Sequence, residues 1–200
     1  MSKATLPDHI QAYGVELRRL QRDDIELVRQ WRNHPEVARH MLSSEDISQE
    51  QQVAWFERSD TAEDRAYYLA SYKGEPIAFA SVSGEPGRQL GDNDVLEAAI
   101  YLAPDSRCRG TLLAFAPALA LNDACFDRLA CKQLLARVKP ENDTALRFNA
   151  QMGYRQIRRD DALVYMQLDR PDYLAASDQI KQLLCRTRPQ THQPKAHTTI

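Results

Sequence analysis

The chain has 200 residues, 43% hydrophobic and 27% charged, with a formal net charge of −2. These values suit one globular domain with a real core and exclude wholesale disorder. They also exclude the global basic field expected of a nucleic-acid or acidic-membrane binder.

Residues 1–13 are polar, carry Pro7 and Asp8, and have no apolar core of the kind a secretory leader needs, so they are expected to be an N-terminal extension. Val15–Leu20 alternates apolar and polar positions and predicts a short strand. Asp23 or Asp24 then caps a helix with Ile25, Val28 and Trp31 on one flank. That helix should stop near Asn33, because the residue before Pro35 avoids helical geometry. Pro35 can open a second short helix through Met41. Ser48 followed by Gln51 is a capping-box pattern for a helix through Phe56.

Tyr67–Tyr72 and Pro76–Val82 predict two strands about a Gly turn. Ser83–Asp94, with three Gly and one Pro, predicts a loop. Val95–Leu102 is the next strand, ended by Pro104. Thr111–Leu129 is expected to be a long apolar helix whose first turns Pro117 ends or kinks. Lys132–Val138 follows as a strand. Asn142 or Asp143 caps a helix that Gly153 terminates. Tyr154–Ile157 and Ala162–Leu168 predict a last hairpin, residues 171–185 an amphipathic helix, and residues 186–200 a disordered tail. The order implies a mixed α/β sheet with helices on both faces.

Four cysteines stand at 108, 125, 131 and 185, with no C-x-x-C pair and no zinc spacing, so reduced thiols and no metal are expected. No stretch approaches the ~20 apolar residues of a membrane span. Cytoplasmic location, without membrane or nucleic-acid partners, is the matching expectation.

The chemistry concentrates where a strand meets a turn and the turn opens a helix: Ala103-Pro104-Asp105-Ser106-Arg107-Cys108-Arg109-Gly110-Thr111. A helix start leaves N–H groups unpaired and presents partial positive charge, which suits a pyrophosphate. Gly110 lets backbone approach a ligand, and Arg107 and Arg109 add charge. Further on stands Asn142-Asp143-Thr144-Ala145, then Gly153-Tyr154.

Together these segments resemble the GNAT N-acetyltransferases, whose turn reads R/Q-x-x-G-x-G/A and whose later motif reads N-x-x-A-(five or six residues)-G-F/Y. The resemblance spans roughly residues 15–168. It implies a single GNAT-type domain over 14–170: a mixed, mostly antiparallel twisted sheet with splayed central strands and helices on both faces. It implies acetyl-CoA as donor, with Ile100, Tyr101 and Leu102 along the pantetheine arm. The segment Arg107, Cys108, Arg109, Gly110, Thr111 and Leu112 would cradle the pyrophosphate, and Asn142 and Asn149 would contact the arm. Two positions depart from the pattern. Leu112 stands where a small residue is usual. Asn149 stands where many members carry the tyrosine that protonates the leaving thiolate, and an amide cannot be that acid.

The N-terminal half, Trp31-Arg32-Asn33-His34-Pro35 with Met41 and Trp55-Phe56, resembles the branch of ribosomal-protein N-terminal, spermidine and pseudaminic-acid-pathway amino-sugar acetyltransferases. The tetrapeptide Arg32–Pro35 looks most like the last. Gln52 stands where that branch often has His. The resemblance implies Arg32, His34, Gln52 and Ser83 on the acceptor side, with Arg32 facing a phosphate or carboxylate.

Glu97 is either a general base at the cleft or a solvent carboxylate. Tyr101 is either a packed aromatic or a hydroxyl aimed at the substrate or thioester. Cys108, beside two arginines at a helix start, is expected to be acidified, but has no His partner in sequence reach. The reading is direct acetyl transfer to a primary amine, on a nucleotide-linked amino sugar first, a protein N-terminus or polyamine second, by a monomer or homodimer. The rival class is a non-catalytic CoA-binding or interaction module.

Overall fold

The computed structural model describes residues 4–43 and 45–186. Its centre is one sheet of eight strands: β1 (His9–Ala12), β2 (Val15–Arg19), β3 (Arg65–Tyr72), β4 (Glu75–Ser83), β5 (Val95–Leu102), β6 (Gln133–Val138), β7 (Arg155–Arg159) and β8 (Val164–Asp169). The spatial order is β1-β2-β3-β4-β5-β6-β8-β7. Every neighbouring pair is antiparallel except β5 and β6, which run parallel.

Two tight hairpins start the sheet. Ala12 pairs Val15 across Tyr13-Gly14, and Tyr72 pairs Glu75 across Lys73-Gly74. Both residues of each loop have positive φ, the geometry that matches the twist of the flanking strands. The first hairpin corrects the expected N-terminal extension: residues 9–12 are a sheet strand.

The helices are α1 (Ile25–Asn33), α2 (Pro35–Ala38), α3 (Gln49–Asp60), α4 (Ala116–Arg128), α5 (Asp143–Gln151) and α6 (Arg170–Arg186). The Ser48/Gln51 capping box forms as its spacing requires, and α3 runs one turn beyond Phe56. The second helix is shorter than expected and ends at Ala38. The long helix expected from Thr111 instead opens with a 3-10 turn over Leu112–Phe115. The α-helix proper starts at Ala116, with Pro117 in its first turn, where a missing N–H costs no intrahelical bond. Arg186 closes α6, and the rest of the expected tail lies outside the described residues.

Side chains alternate across the sheet and feed two cores. Leu17, Tyr68, Ala80, Leu96, Leu119 and Leu168 belong to the larger one, which α4 and α6 help build. Leu20, Ile25, Val28, Phe56, Leu69 and Phe79 form the smaller one under α1 and α3. A half-buried carboxylate locks α6 on. Asp123 of α4 accepts from Tyr13, from Tyr173 (2.8 Å) and from Lys181 (2.6 Å). Among the described residues, no helix is long and apolar enough to cross a membrane.

Candidate active site

The parallel ladder between β5 and β6 is short. Val95, Leu96 and Glu97 pair Gln133, Leu134 and Leu135, and then the strands part. Beyond that point β5 stays on β4 as far as Leu102, while β6 stays on β8 as far as Val138. A V-shaped gap opens between them. Ala103 donates its N–H to the Ile77 carbonyl at 2.8 Å. Alternation along a strand therefore turns the backbone of Tyr101 toward β4, and the backbones of Ile100 and Leu102 toward the gap. Of the three residues expected along the donor's arm, Tyr101 contributes its side chain and not its peptide groups.

The gap runs toward the 103–113 turn. Ser106 donates its N–H to Ala103, Arg109 to Ser106, Thr111 to Cys108 and Ala114 to Thr111. The Cys108 N–H donates to the Ser106 hydroxyl at 3.3 Å, and the Thr111 hydroxyl to the Cys108 carbonyl at 2.7 Å. The N–H groups of Arg107, Gly110, Leu112 and Leu113 are left without a backbone acceptor among the described residues. Gly110 has φ +70°, and a Cβ there would meet nothing within 4 Å, so the turn is open above it. Unpaired amides and open space fit an oxyanion.

The side chains of the turn behave differently from expectation. Arg109 folds back, donating from Nε to the Pro104 carbonyl and from Nη2 to the Ala103 carbonyl, both at 3.1 Å, and lies 3.6 Å from Glu36. It therefore braces the turn as much as it charges it. Arg107 is 87% exposed, with Glu75 at 3.8 Å. Leu112 is exposed. The thiol expected to be acidified at a helix start is instead buried: Cys108 packs into the larger core, since the helix begins eight residues later.

On the α1/α3 face, Ile100 and Tyr101 border a cavity of about 370 Å³. Its wall is an aromatic ladder built across the strands. The Trp55 ring lies 4.8 Å from Tyr67, Tyr67 5.8 Å from Phe79, and Phe79 5.1 Å from Tyr101. Arg32, Gln52 and Ser81 supply polar atoms. Arg32 donates from Nη2 to the Ser43 carbonyl, while its Nη1 is buried with no acceptor. Burial pushes the Arg32 guanidinium below its usual range. Burial also pushes the Tyr101 phenol well above the ordinary tyrosine range, against a smaller opposing pull from Arg32.

The remaining expected residues lie elsewhere. Glu97 accepts from Arg137 Nε at 2.8 Å and does not border the cavity. Its carboxylate is engaged across the sheet by β6 and stands outside the cleft where a base was expected. His34 caps α2, its Nδ1 accepting from the Glu36 N–H at 3.3 Å, and is exposed rather than in the cleft. Ser83 stands opposite Glu97, beyond the cavity; Ser81, one strand period earlier, borders it. Asn142 caps α5 by accepting from the Ala145 N–H at 3.1 Å. Asn149 holds its Nδ2 3.8 Å from the Met166 sulfur. Beside it Phe148 stacks on Phe115 at 4.5 Å, tying α5 to the turn before α4.

Tyr67, Phe79 and Ser81 are cleft residues that sequence reasoning passed over. Their signal was register: Phe79 pairs Tyr101, so it shares a sheet face with it. Among the described residues, no group of three His, Cys, Asp or Glu side chains could hold a metal ion.

Comparison with known proteins agrees with this architecture. FdhC in its apo form, described as a nucleotide-linked sugar GNAT, superposes with a TM-score of 0.72 at 18% identity, over 88% of this chain and 98% of that one. Spermidine N-acetyltransferase from Vibrio cholerae, in complex with CoA and spermine, gives 0.69 at 14%, over 80% and 98%. Aminoglycoside acetyltransferase AAC(6')-Ib, in complex with coenzyme A, gives 0.65 at 21%, over 80% and 98%. No functionally curated protein matches the chain in sequence. At such identities the likeness is one of fold. Residues 15–155, however, match the acetyltransferase (GNAT) domain family directly. The chain therefore belongs to the GNAT acetyltransferase family, as an acetyl-CoA-dependent N-acetyltransferase.

Proposed function

We propose that this enzyme acetylates the primary amine of a small, anion-bearing acceptor, a nucleotide-linked amino sugar before all others. The observation that carries the reading is Arg32. A guanidinium nitrogen buried beside the cleft without an acceptor is costly by about 1–3 kcal/mol until an oxygen reaches it. Phosphate and carboxylate oxygens suit it best. No carboxylate is among the described residues bordering the cavity. A polyamine, which brings only positive charge, therefore finds no counter-ion there. A cavity of about 370 Å³ has room for a sugar ring, and a nucleotide would extend outward from it.

Acetyl-CoA supplies an activated acetyl thioester. In this reading the N–H groups of Arg107, Gly110, Leu112 and Leu113 hold its pyrophosphate, and Arg107 adds charge at the rim. The gap-facing backbones of Ile100 and Leu102 orient its arm, with Asn142 and Asn149 on the far side. Gln52 and Ser81 orient the acceptor. The incoming ammonium loses its proton to water, because Glu97 is held by Arg137.

The test compares kcat/KM for a UDP-linked 4-amino sugar, spermidine and a short peptide, in wild type and Arg32→Ala. The sugar should win. Arg32→Ala should lower its kcat/KM by about thirtyfold, roughly 2 kcal/mol. Preference for the peptide, or an equal loss on all three acceptors, ends the sugar reading. No thiol release with any amine would instead favour a non-catalytic module.

A further inference from the structure

We propose that the Tyr101 hydroxyl carries a proton from the acceptor nitrogen to the leaving sulfur, so that one phenol serves where an acid and a base would otherwise be needed. The inference rests on the donor seat proposed above, but not on the identity of the acceptor.

Transfer requires one net proton movement. The acceptor N–C bond forms, the C–S bond breaks, nitrogen has a proton too many and sulfur one too few. Among the described residues, the cavity border holds no carboxylate, imidazole or thiol. Asn149, an amide engaged with the Met166 sulfur, has no proton to give at accessible pH. Glu97 lies about 13 Å along the strand from Tyr101, four residues at the rise of an extended chain, and is bound to Arg137.

Three hydroxyls remain at the cavity among the described residues. Ser81 is an alkanol and a far weaker acid than a phenol. Tyr67 stands on β3, two strands away from the gap, beside the Arg65 guanidinium. Tyr101 makes no hydrogen bond to any other described residue, although its ring is fixed by stacking on Phe79. It projects from the residue between Ile100 and Leu102, whose backbones face the gap. A ligand arm threading the gap would therefore meet the acceptor cleft beside this side chain. Burial holds the phenol in its protonated form at rest and makes it a weaker acid, while the Arg32 cation pulls the other way and favours the phenolate. As the C–S bond breaks, the phenol proton goes to sulfur. The phenolate, steadied by the nearby Arg32 cation, takes the surplus proton from nitrogen. The tyrosine is regenerated, and the products are a neutral amide and a thiol.

Tyr101→Phe keeps the ring and its stacking, and CoA affinity measured by calorimetry should stay at the wild-type value. Single-turnover rates are then compared for acetyl-CoA and its selenoester analogue, whose selenolate leaves without needing a proton, with any amine that reacts. Tyr101→Phe should slow the thioester reaction by ~10²–10⁴-fold and the selenoester reaction far less. Equal losses on both donors, or no loss on acetyl-CoA, would overturn the relay. Wild type provides a second measure: D2O should slow thioester transfer more than selenoester transfer, and equal slowing also overturns it. A misplaced donor seat would show differently, as Gly110 variants with unchanged CoA affinity.

Discussion

Arg137 Nε donates to Glu97 Oε1 at 2.8 Å, closing a bridge between β5 and β6 just where their ladder stops. Both side chains are partly exposed, Arg137 by 42% and Glu97 by 30%, so the pair itself adds less than about 1 kcal/mol to stability. Its effect is positional: it holds the root of the gap and keeps the Glu97 carboxylate occupied. Glu97→Gln should therefore leave CoA affinity intact and keep kcat within about tenfold of wild type across pH 6–9, short of the ~10²–10⁴-fold loss of a true general base. A loss in that larger range would restore Glu97 as the base.

Gly110→Val should weaken CoA binding at least tenfold, about 1.4 kcal/mol, by calorimetry. Space around the position is open, so the loss comes from two other sources. A β-branched residue at φ +70° is strained by about 1–3 kcal/mol, and its side chain fills the approach to the unpaired amides. Gly110→Ala should show a smaller loss in the same direction.

Asp123→Ala should destabilise the fold by about 2–3 kcal/mol in urea titration, since it leaves Tyr13, Tyr173 and Lys181 without their shared acceptor. Tyr173→Phe, which removes one donor, should cost about 1 kcal/mol. Equal stability of Asp123→Ala and wild type would mean that α6 is held by apolar packing alone.

Thiol labelling should find one fast cysteine. Cys185 is exposed, whereas Cys108, Cys125 and Cys131 are buried. Burial also pushes the Cys125 thiol well up and that of Cys131 to about 11, so little thiolate is present at neutral pH. Cys185→Ser should abolish the fast phase, and a fast phase surviving in that variant would place a second thiol at the surface.

Local signals were the readable ones. The Ser48/Gln51 box, the Lys73-Gly74 turn and the alternation in β5 each sit within a few residues and mean the same thing in any context. The Tyr13-Gly14 hairpin was missed because Pro7, Asp8 and His9 mask a four-residue strand, and only pairing with β2 makes it one. The burial of Cys108 was not legible because a 3-10 turn ahead of a later helix start cannot be told from a longer helix by composition. Arg137 lies forty residues from Glu97, and nothing local announces that partnership. Ser81 and Ser83 differ by one strand period. They share a face, and only the curvature of the cleft decides which is inside. The turn and strand that seat the donor could thus be located from sequence, whereas the acceptor wall, assembled from α1, α3 and three strands, could not.

The short ladder at Val95–Glu97 divides the sheet into a five-strand and a three-strand part whose main-chain connection is only three residue pairs long. A ligand arm lying along Ile100 and Leu102 would act as the missing length of strand between them. Donor binding then becomes a mechanical cross-link as well as a substrate encounter. Amide exchange at Ile100 and Leu102 should slow when CoA is added, and cooperativity of unfolding should rise as the parts are joined. At a hundred times Kd the gain in folding free energy is about 2.7 kcal/mol. Resistance of the purified protein to proteolysis should accordingly rise with added acetyl-CoA.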